Sequence, residues 1–203
     1  GAEDTQERWF GVVCVWGQMR WLVAVFMGLM SLHGAWGYMS GRPAPPTAEN
    51  LWHRDHLLRL DGSLRRIAGI ALLPRPDASP GECSSVALSS TIAIVSHGVE
   101  DDPLFDFATP CAQALFKMDW DTFVRTPSRL SAEASDRDER QRLLDTVERQ
   151  GFIRDYRGVR VSADGDRFHI SNALVWNVLD PDTGGRIGQA AMFRASDVEP
   201  ISS

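Results

Sequence analysis

Cysteine and lysine are scarce in this chain, and the familiar signatures of catalysis are missing. Three cysteines (Cys14, Cys83, Cys111) stand far apart in 203 residues with no paired spacing. That pattern excludes a disulfide framework and a zinc-ligand set, and it suits a reducing compartment. Lys117 is the only lysine, every other basic residue being arginine; this reads as genomic composition, since nothing in folding physics demands it. The formal charge of -6 argues against a nucleic-acid binder, which usually shows a basic face. No internal repeat, nucleophile elbow, phosphate loop or dinucleotide fingerprint occurs. These absences lower the case for an enzyme without closing it, because catalytic groups need only converge in space.

One long apolar run exists, Trp21 to Tyr38, broken by Ser31 and His33. Its length is close to the minimum for a membrane-spanning helix. Arg8 and Arg20 precede it and Arg42 follows, so charge scarcely sets an orientation. Three readings fit: a membrane anchor, an uncleaved signal-like segment, or translated sequence upstream of a start at Met39. The expected location is therefore cytoplasmic, with inner-membrane anchoring through residues 21–38 as the alternative. The expected organisation is 1–38 apolar segment, 39–82 helix and proline-rich linker, 83–195 core and 196–203 tail.

Local patterns supply the elements. Leu57, Leu60, Leu64 and Ile67 repeat at helical spacing, predicting an amphipathic helix from Asn50 to about Ile67. Leu73 to Gly81, rich in proline and turn residues, reads as a linker. Ile92 to Val95 and Leu104 to Phe107 are short strand candidates. Pro110 at an N1-like position opens a helix through Phe116, and Asp119-Trp120-Asp121 starts another short turn. Ser135 stands three residues before Asp138, as in a capping box, ahead of an apolar stripe of Leu143, Leu144 and Val147; Gly151 can end that helix with positive φ. Three strands follow: Phe152 to Ser162, Phe168 to Leu179 and Arg186 to Phe193. Ala163-Asp164-Gly165 and Pro181-Asp182-Thr183-Gly184-Gly185 supply the turns between them. A helix followed by a three-strand meander implies an antiparallel sheet with helices on one face, an α+β fold.

An ordered set of short motifs runs along this scaffold: Ser96-His97-Gly98, Asp102-Pro103-Leu104-Phe105, Pro127-Ser128-Arg129, Ser131-Ala132-Glu133, Arg137 with Glu139-Arg140, Tyr156-Arg157-Gly158-Val159-Arg160, Gly165-Asp166-Arg167-Phe168, Val175-Trp176-Asn177 and Gly188-Gln189-Ala190-Ala191. Over roughly residues 50 to 194 the chain resembles the MEKHLA domain family, which is similar to PAS domains and occurs as small bacterial proteins and at the C-terminus of plant homeodomain-leucine zipper regulators. Phe107-Ala108-Thr109 stands where Tyr-Ala-Asn is usual, and the hexapeptide that names the family is absent. There is no homeodomain or zipper, so the plant role does not carry over. The resemblance implies a PAS-like fold, a five-stranded antiparallel sheet with helices on one face, plus an N-terminal helical extension. It also implies a sensor of small ligands or cofactors, or a module that pairs with a protein partner or a second copy of itself.

Strict alternation would place Tyr156, Gly158 and Arg160 on one strand face. Phe168, Ile170, Asn172, Leu174 and Trp176 would share the next, and Ile187, Gln189, Ala191 and Phe193 the last. If these faces meet under the helices, Tyr156, Arg160, Asn172, Trp176 and Gln189 line a ligand chamber; the plainer alternative is that the polar groups satisfy one another. His97 is a candidate ligand contact, a heme or metal ligand, or a general base beside Glu100, Asp101 and Asp102 in a small hydrolase or isomerase. His53 and His56 share a helix face but lack a third metal ligand. For a flavin, Asn172, Asn177 and Gln189 echo the amides that hold the ring in flavin-binding PAS domains. The glycine-arginine-asparagine-cysteine motif of adduct photochemistry is absent. The sequence therefore names no cofactor beyond a non-covalent flavin or a heme.

Overall fold

The computed structural model describes residues 42–133 and 137–202, without the side chains of residues 137–140 and 144. The apolar run Trp21 to Tyr38 and the Ser135 capping box lie outside the described residues, as does the side chain of Leu144. Among the described residues no helix is long and apolar enough to cross a membrane.

The apolar strand candidates assemble into one antiparallel sheet. β1 (Ile92–His97), β2 (Phe105–Ala108), β3 (Phe152–Val161), β4 (Arg167–Leu179) and β5 (Arg186–Arg194) are ordered β2-β1-β5-β4-β3. A sixth strand corrects the expected five: β6 (Val198–Pro200) pairs with β4 at Phe168–Ile170, beyond the stretch that β5 occupies. Its three residues are too few to show alternation, and Pro200, with no N–H to donate, is tolerated on an edge.

The helical extension is a 3₁₀ turn, Leu51–His53, leading into α1 (Arg54–Ala68). Leu57, Leu60 and Leu64 are fully buried along one stripe. The expected linker is partly a helix, α2 (Pro80–Ala87). Ser79 and Glu82 form a capping box and Pro80 occupies the first turn, so the start signal was in the sequence. Leu73 and Ala78 are buried as well. Asp61, also buried, holds this crossing by accepting from the Leu72 and Leu73 N–H groups and from Arg65 Nε at 2.6 Å.

α3 (Pro110–Phe116) starts at Thr109 and α4 (Trp120–Phe123) at Asp119, each cap accepting a backbone N–H. α5 (Arg137–Gln150) stops at Gly151 with φ 91°, whose N–H goes to Val147 O. A Cβ on Gly151 would stand 2.6 Å from Ile67 Cγ2, so glycine is required both for the turn and for the approach of α1.

The sheet is buried on both faces. On one, α1 lays Leu57, Leu60 and Leu64 over Ile94, Leu174, Trp176 and Ala190. On the other, α3, α4 and α5 pack Phe116, Phe123 and Val147 against Val95, Ile170, Val175 and Phe193. Cys111 sits in this second core as a small apolar side chain, and burial raises its thiol pKa, as it does for Cys83.

Removing the central leucine of α1 tests this account. Leu60→Ala should destabilise the full chain by about 2–5 kcal/mol in urea titration, the range for buried leucine truncation. A loss well under 1 kcal/mol would mean that α1 is not part of the core.

Candidate functional site

Side chains of β4 do not alternate as expected, and the reason is local. Asn172 has φ 52° and Asp155, on the adjoining strand, has φ 58°. Ile153 pairs with Val175 and Tyr156 with Ala173, so β3 carries one extra residue; Tyr156↔Ala173 and Gly158↔Ile170 show the compensating extra residue on β4. Paired bulges of this kind re-aim side chains and then restore register. Phe168 and Ile170 face the α3–α5 side, Ala173 and Val175 resume on that same side, and Leu174, Trp176 and Val178 turn to α1.

Two expected chamber residues therefore move. Asn172 is exposed at the bulge. Trp176 lies fully buried under α1 and donates from Nε1 to Leu60 O at 3.2 Å. On β5 a register shift near Val178 and Leu179 likewise sends Ile187 to the α1 side.

Tyr156, Arg160, Gln189 and His97 do gather on the α3–α5 side. Arg160, Gln189 and His97, with Ser131, Val95, Phe105, Phe116 and Phe193, line a cavity of about 50 Å³. Arg160 also borders an open groove of about 700 Å³ with Tyr156, Arg157, His169, Asp197 and Glu199. Arg160 Nη2 donates to the Tyr156 hydroxyl at 2.9 Å and Nη1 to Val159 O at 2.8 Å, and the guanidinium lies 5.2 Å from the Tyr156 ring centre. Gly158 makes this possible, since a Cβ there would overlap the Tyr156 hydroxyl. The Tyr-Arg-Gly-Val-Arg motif is thus a tyrosine and an arginine clasped across a glycine.

Gln189 Nε2 donates to Asn177 Oδ1 at 3.3 Å, and Asn177 Nδ2 donates to Val147 O and Glu148 O. That amide chain ties the end of α5 to the sheet. Asn177 is therefore held by the protein itself rather than presented to a ring.

A flavin or heme does not fit this chamber. Sites for ligands of that size enclose about 300–1,000 Å³, whereas here the phenylalanines fill the space. His97, at the end of β1, bonds through Nδ1 to Gly98 O at 2.8 Å. It also borders a polar cleft of about 180 Å³ with Asp101, Asp102, Arg129, Glu148 and Arg186. Arg129 grips Asp102 through two bonds of 2.9 and 3.1 Å, and Arg186 meets Glu148 at 2.9 Å. Among the described residues no cluster of His, Cys, Asp and Glu is arranged to hold a metal ion.

Sequence reasoning missed a second polar centre, on the α1 side. His56 Nε2 lies 2.9 Å from Ser96 Oγ, and that hydroxyl donates to Asp106. The neutral ring therefore donates from Nε2. His53, in a left-handed conformation at the start of α1, bonds Ala44 O at 2.7 Å and stacks edge-on against Trp120 at 5.4 Å. Both rings lie on Phe107. The three-residue spacing of the histidines was legible, but Ser96 and Asp106 arrive from other strands.

The strand order with short helices on the α3–α5 face is the architecture of PAS-like domains. Within that class the MEKHLA domain model matches residues 54–198, more than half of the chain, and the chain belongs to the MEKHLA domain family. Among solved structures, an RNA-binding light-oxygen-voltage receptor is similar at 17% identity over 63% of this chain and 36% of that one, with a TM-score of 0.51. This chain thus spans about a third of that protein's length, and the likeness shows a shared fold. The PAS domain of a protein from Colwellia psychrerythraea is 14% identical over 54% and 86% of the two chains, with a TM-score of 0.45. A Rhodobacter sphaeroides light-oxygen-voltage protein is 12% identical over 55% and 63%, also at 0.45. No curated protein matches the chain.

Burial holds the pKa values of His53 and His56 below the ordinary 6.5, Asp106 opposing the shift in both. A histidine with a depressed folded-state pKa binds its proton less readily folded than unfolded. Stability is therefore full above about pH 6.5 and falls as pH drops through 6.5 toward the folded values. Urea midpoints should decline from pH 7.5 to 5.5. His56→Gln should flatten that decline, and an unchanged slope in the variant would remove His56 as its cause.

Proposed function

We propose that this MEKHLA domain is a sensory or regulatory module in which a small molecule in the chamber alters how α1 packs. The observation that carries this is the two-sided use of β5. Ala191 and Phe193 face the chamber core, while the alternating Ala190 and Met192 touch the α1 core. A ligand that displaces one face must be felt on the other, since packed interiors transmit strain. The coupling works only if the ligand binds one packing of α1 more tightly than another. A homodimer or a protein partner reading the position of α1 would complete the signal. A constitutive interaction module with a filled core is the reading that the small cavity favours if no ligand is retained.

A catalytic alternative has one observation behind it, His97 in a cleft with Asp101 and Asp102. His97→Ala separates the two readings. A sensor keeps its fold and binds its ligand at most more weakly, since His97 is only one of the groups lining the cavity, whereas an enzyme loses turnover altogether.

The direct test is native mass spectrometry with an absorbance scan on protein purified without denaturation, followed by hydrogen exchange with and without the retained molecule. Extra mass whose removal changes protection at Leu57 to Leu64 is the expected result. A retained molecule that leaves those amides unchanged would sink the switch. A clean mass would turn the assignment toward the interaction module.

A further inference from the structure

We infer that the chamber recognises a short-chain monocarboxylate such as formate or acetate, held by the Arg160 guanidinium, which the Tyr156 hydroxyl positions. The inference rests on the sensory reading above and names the ligand class for that site.

Its basis is a charge without a counter-charge. Among the described residues, the half-buried arginines Arg54, Arg65 and Arg186 each pair with a carboxylate. Arg160 is half-buried too, yet its partners among the described residues are neutral: Tyr156 OH, Val159 O and the Tyr156 ring. Asp197 and Glu199 border the outer groove but form no ion pair with it. A partly desolvated cation is costly to leave uncompensated, so the site gains most from an anion.

Geometry and size narrow the anion. A guanidinium presents N–H groups in a planar fork that matches a carboxylate through two parallel bonds. Two of the Arg160 donors are used internally, and the others have no acceptor among the described residues. The Tyr156 oxygen accepts from Arg160 Nη2 and so fixes the orientation of the fork. The cavity beside Arg160 is about 50 Å³, against about 30 Å³ for the share of one liquid water. That admits a ligand of a few heavy atoms. Its remaining walls include Phe105, Phe116 and Phe193, which suit a methyl group and give a spherical, hydrated ion nothing.

Calorimetric titration of the full chain with sodium acetate and sodium formate tests this, with sodium chloride and acetamide at matched ionic strength. Acetate and formate should bind saturably. Chloride and acetamide should not, and butyrate should bind more weakly because the cavity is short. Arg160→Gln should weaken acetate binding about ten- to a hundredfold, the worth of a charge-assisted pair. Tyr156→Phe should cost a smaller factor. Arg160→Lys, which keeps the charge and loses the fork, should fall between wild type and Arg160→Gln and guards against simple misfolding. Absence of saturable carboxylate binding overturns the inference, as does equal binding of acetamide or chloride, or full affinity in a folded Arg160→Gln protein. Hydrogen exchange of α1 in the same titration separates the two readings. Acetate binding with α1 unmoved overturns the switch and keeps the ligand class. A response of α1 to some other retained molecule, without acetate binding, does the reverse.

Discussion

The left-handed backbone of Asn172, opposed by that of Asp155 across the β3–β4 pair, decides which side chains meet the chamber and which meet α1. A strand has a strict two-residue period, so an extra residue exchanges the faces of everything beyond it. Without the bulge, Trp176 would point among the α3–α5 helices and Val175 would lie under α1. With it, the long strand can bury apolar groups on both faces along its second half, as the run Ala173 to Val178 does. Asparagine and aspartate are the non-glycine residues that enter this backbone region most readily, so the two positions are chemically apt.

That bend explains which parts of the structure were legible. Helix and strand locations follow from local spacing: Pro110 to Phe116 is a helix over those same residues, and Leu57, Leu60 and Leu64 form the buried stripe their spacing promised. The PAS-like order of strands came with the family resemblance rather than from periodicity. Assignment of faces failed where the period was interrupted. Arg160 and Gln189 lie beyond the irregular pairs and Tyr156 between two that compensate, so all three stay on the α3–α5 side, while Asn172 and Trp176 leave it because the β4 bulge interrupts their period. α2 was overlooked for a different reason. Its capping residues Ser79 and Glu82 were readable, but a proline-rich approach masked them.

The two faces hold different kinds of polar group. Toward α1, the polar groups are satisfied within the protein: His56 to Ser96 and on to Asp106, Asp61 to Arg65, Ser63 to the Leu179 N–H, Trp176 to Leu60 O. They fix the helix in one position, and their number makes that position specific, because each buried donor needs its own acceptor. Toward α3–α5, the amides of Gln189 and Asn177 close on α5, while Arg160 keeps its charge with neutral company. The first face is finished chemistry. The second has a place left for an anion.

This asymmetry suits a sensor whose ligand is small. A large cofactor would have to displace Phe105, Phe116 and Phe193, and the core would lose the contacts that keep the sheet rigid. A molecule of a few atoms can instead sit beside them and act through charge, drawing on Arg160 without repacking the aromatic rings. The mechanical consequence then comes from strand geometry. Arg160 on β3 and Gln189 on β5 flank β4, whose far side carries Trp176 against α1. A shift of either flanking strand is therefore delivered to a buried side chain that hydrogen-bonds the helix backbone. The family's departure at Phe107-Ala108-Thr109 fits the same division. Phe107 supports both histidine rings, and Thr109 joins β1 to the start of α3 by accepting from Ile94 N and donating to Ile92 O. The turn thus ties the face that holds α1 to the helix that covers the chamber, where Arg160 stands.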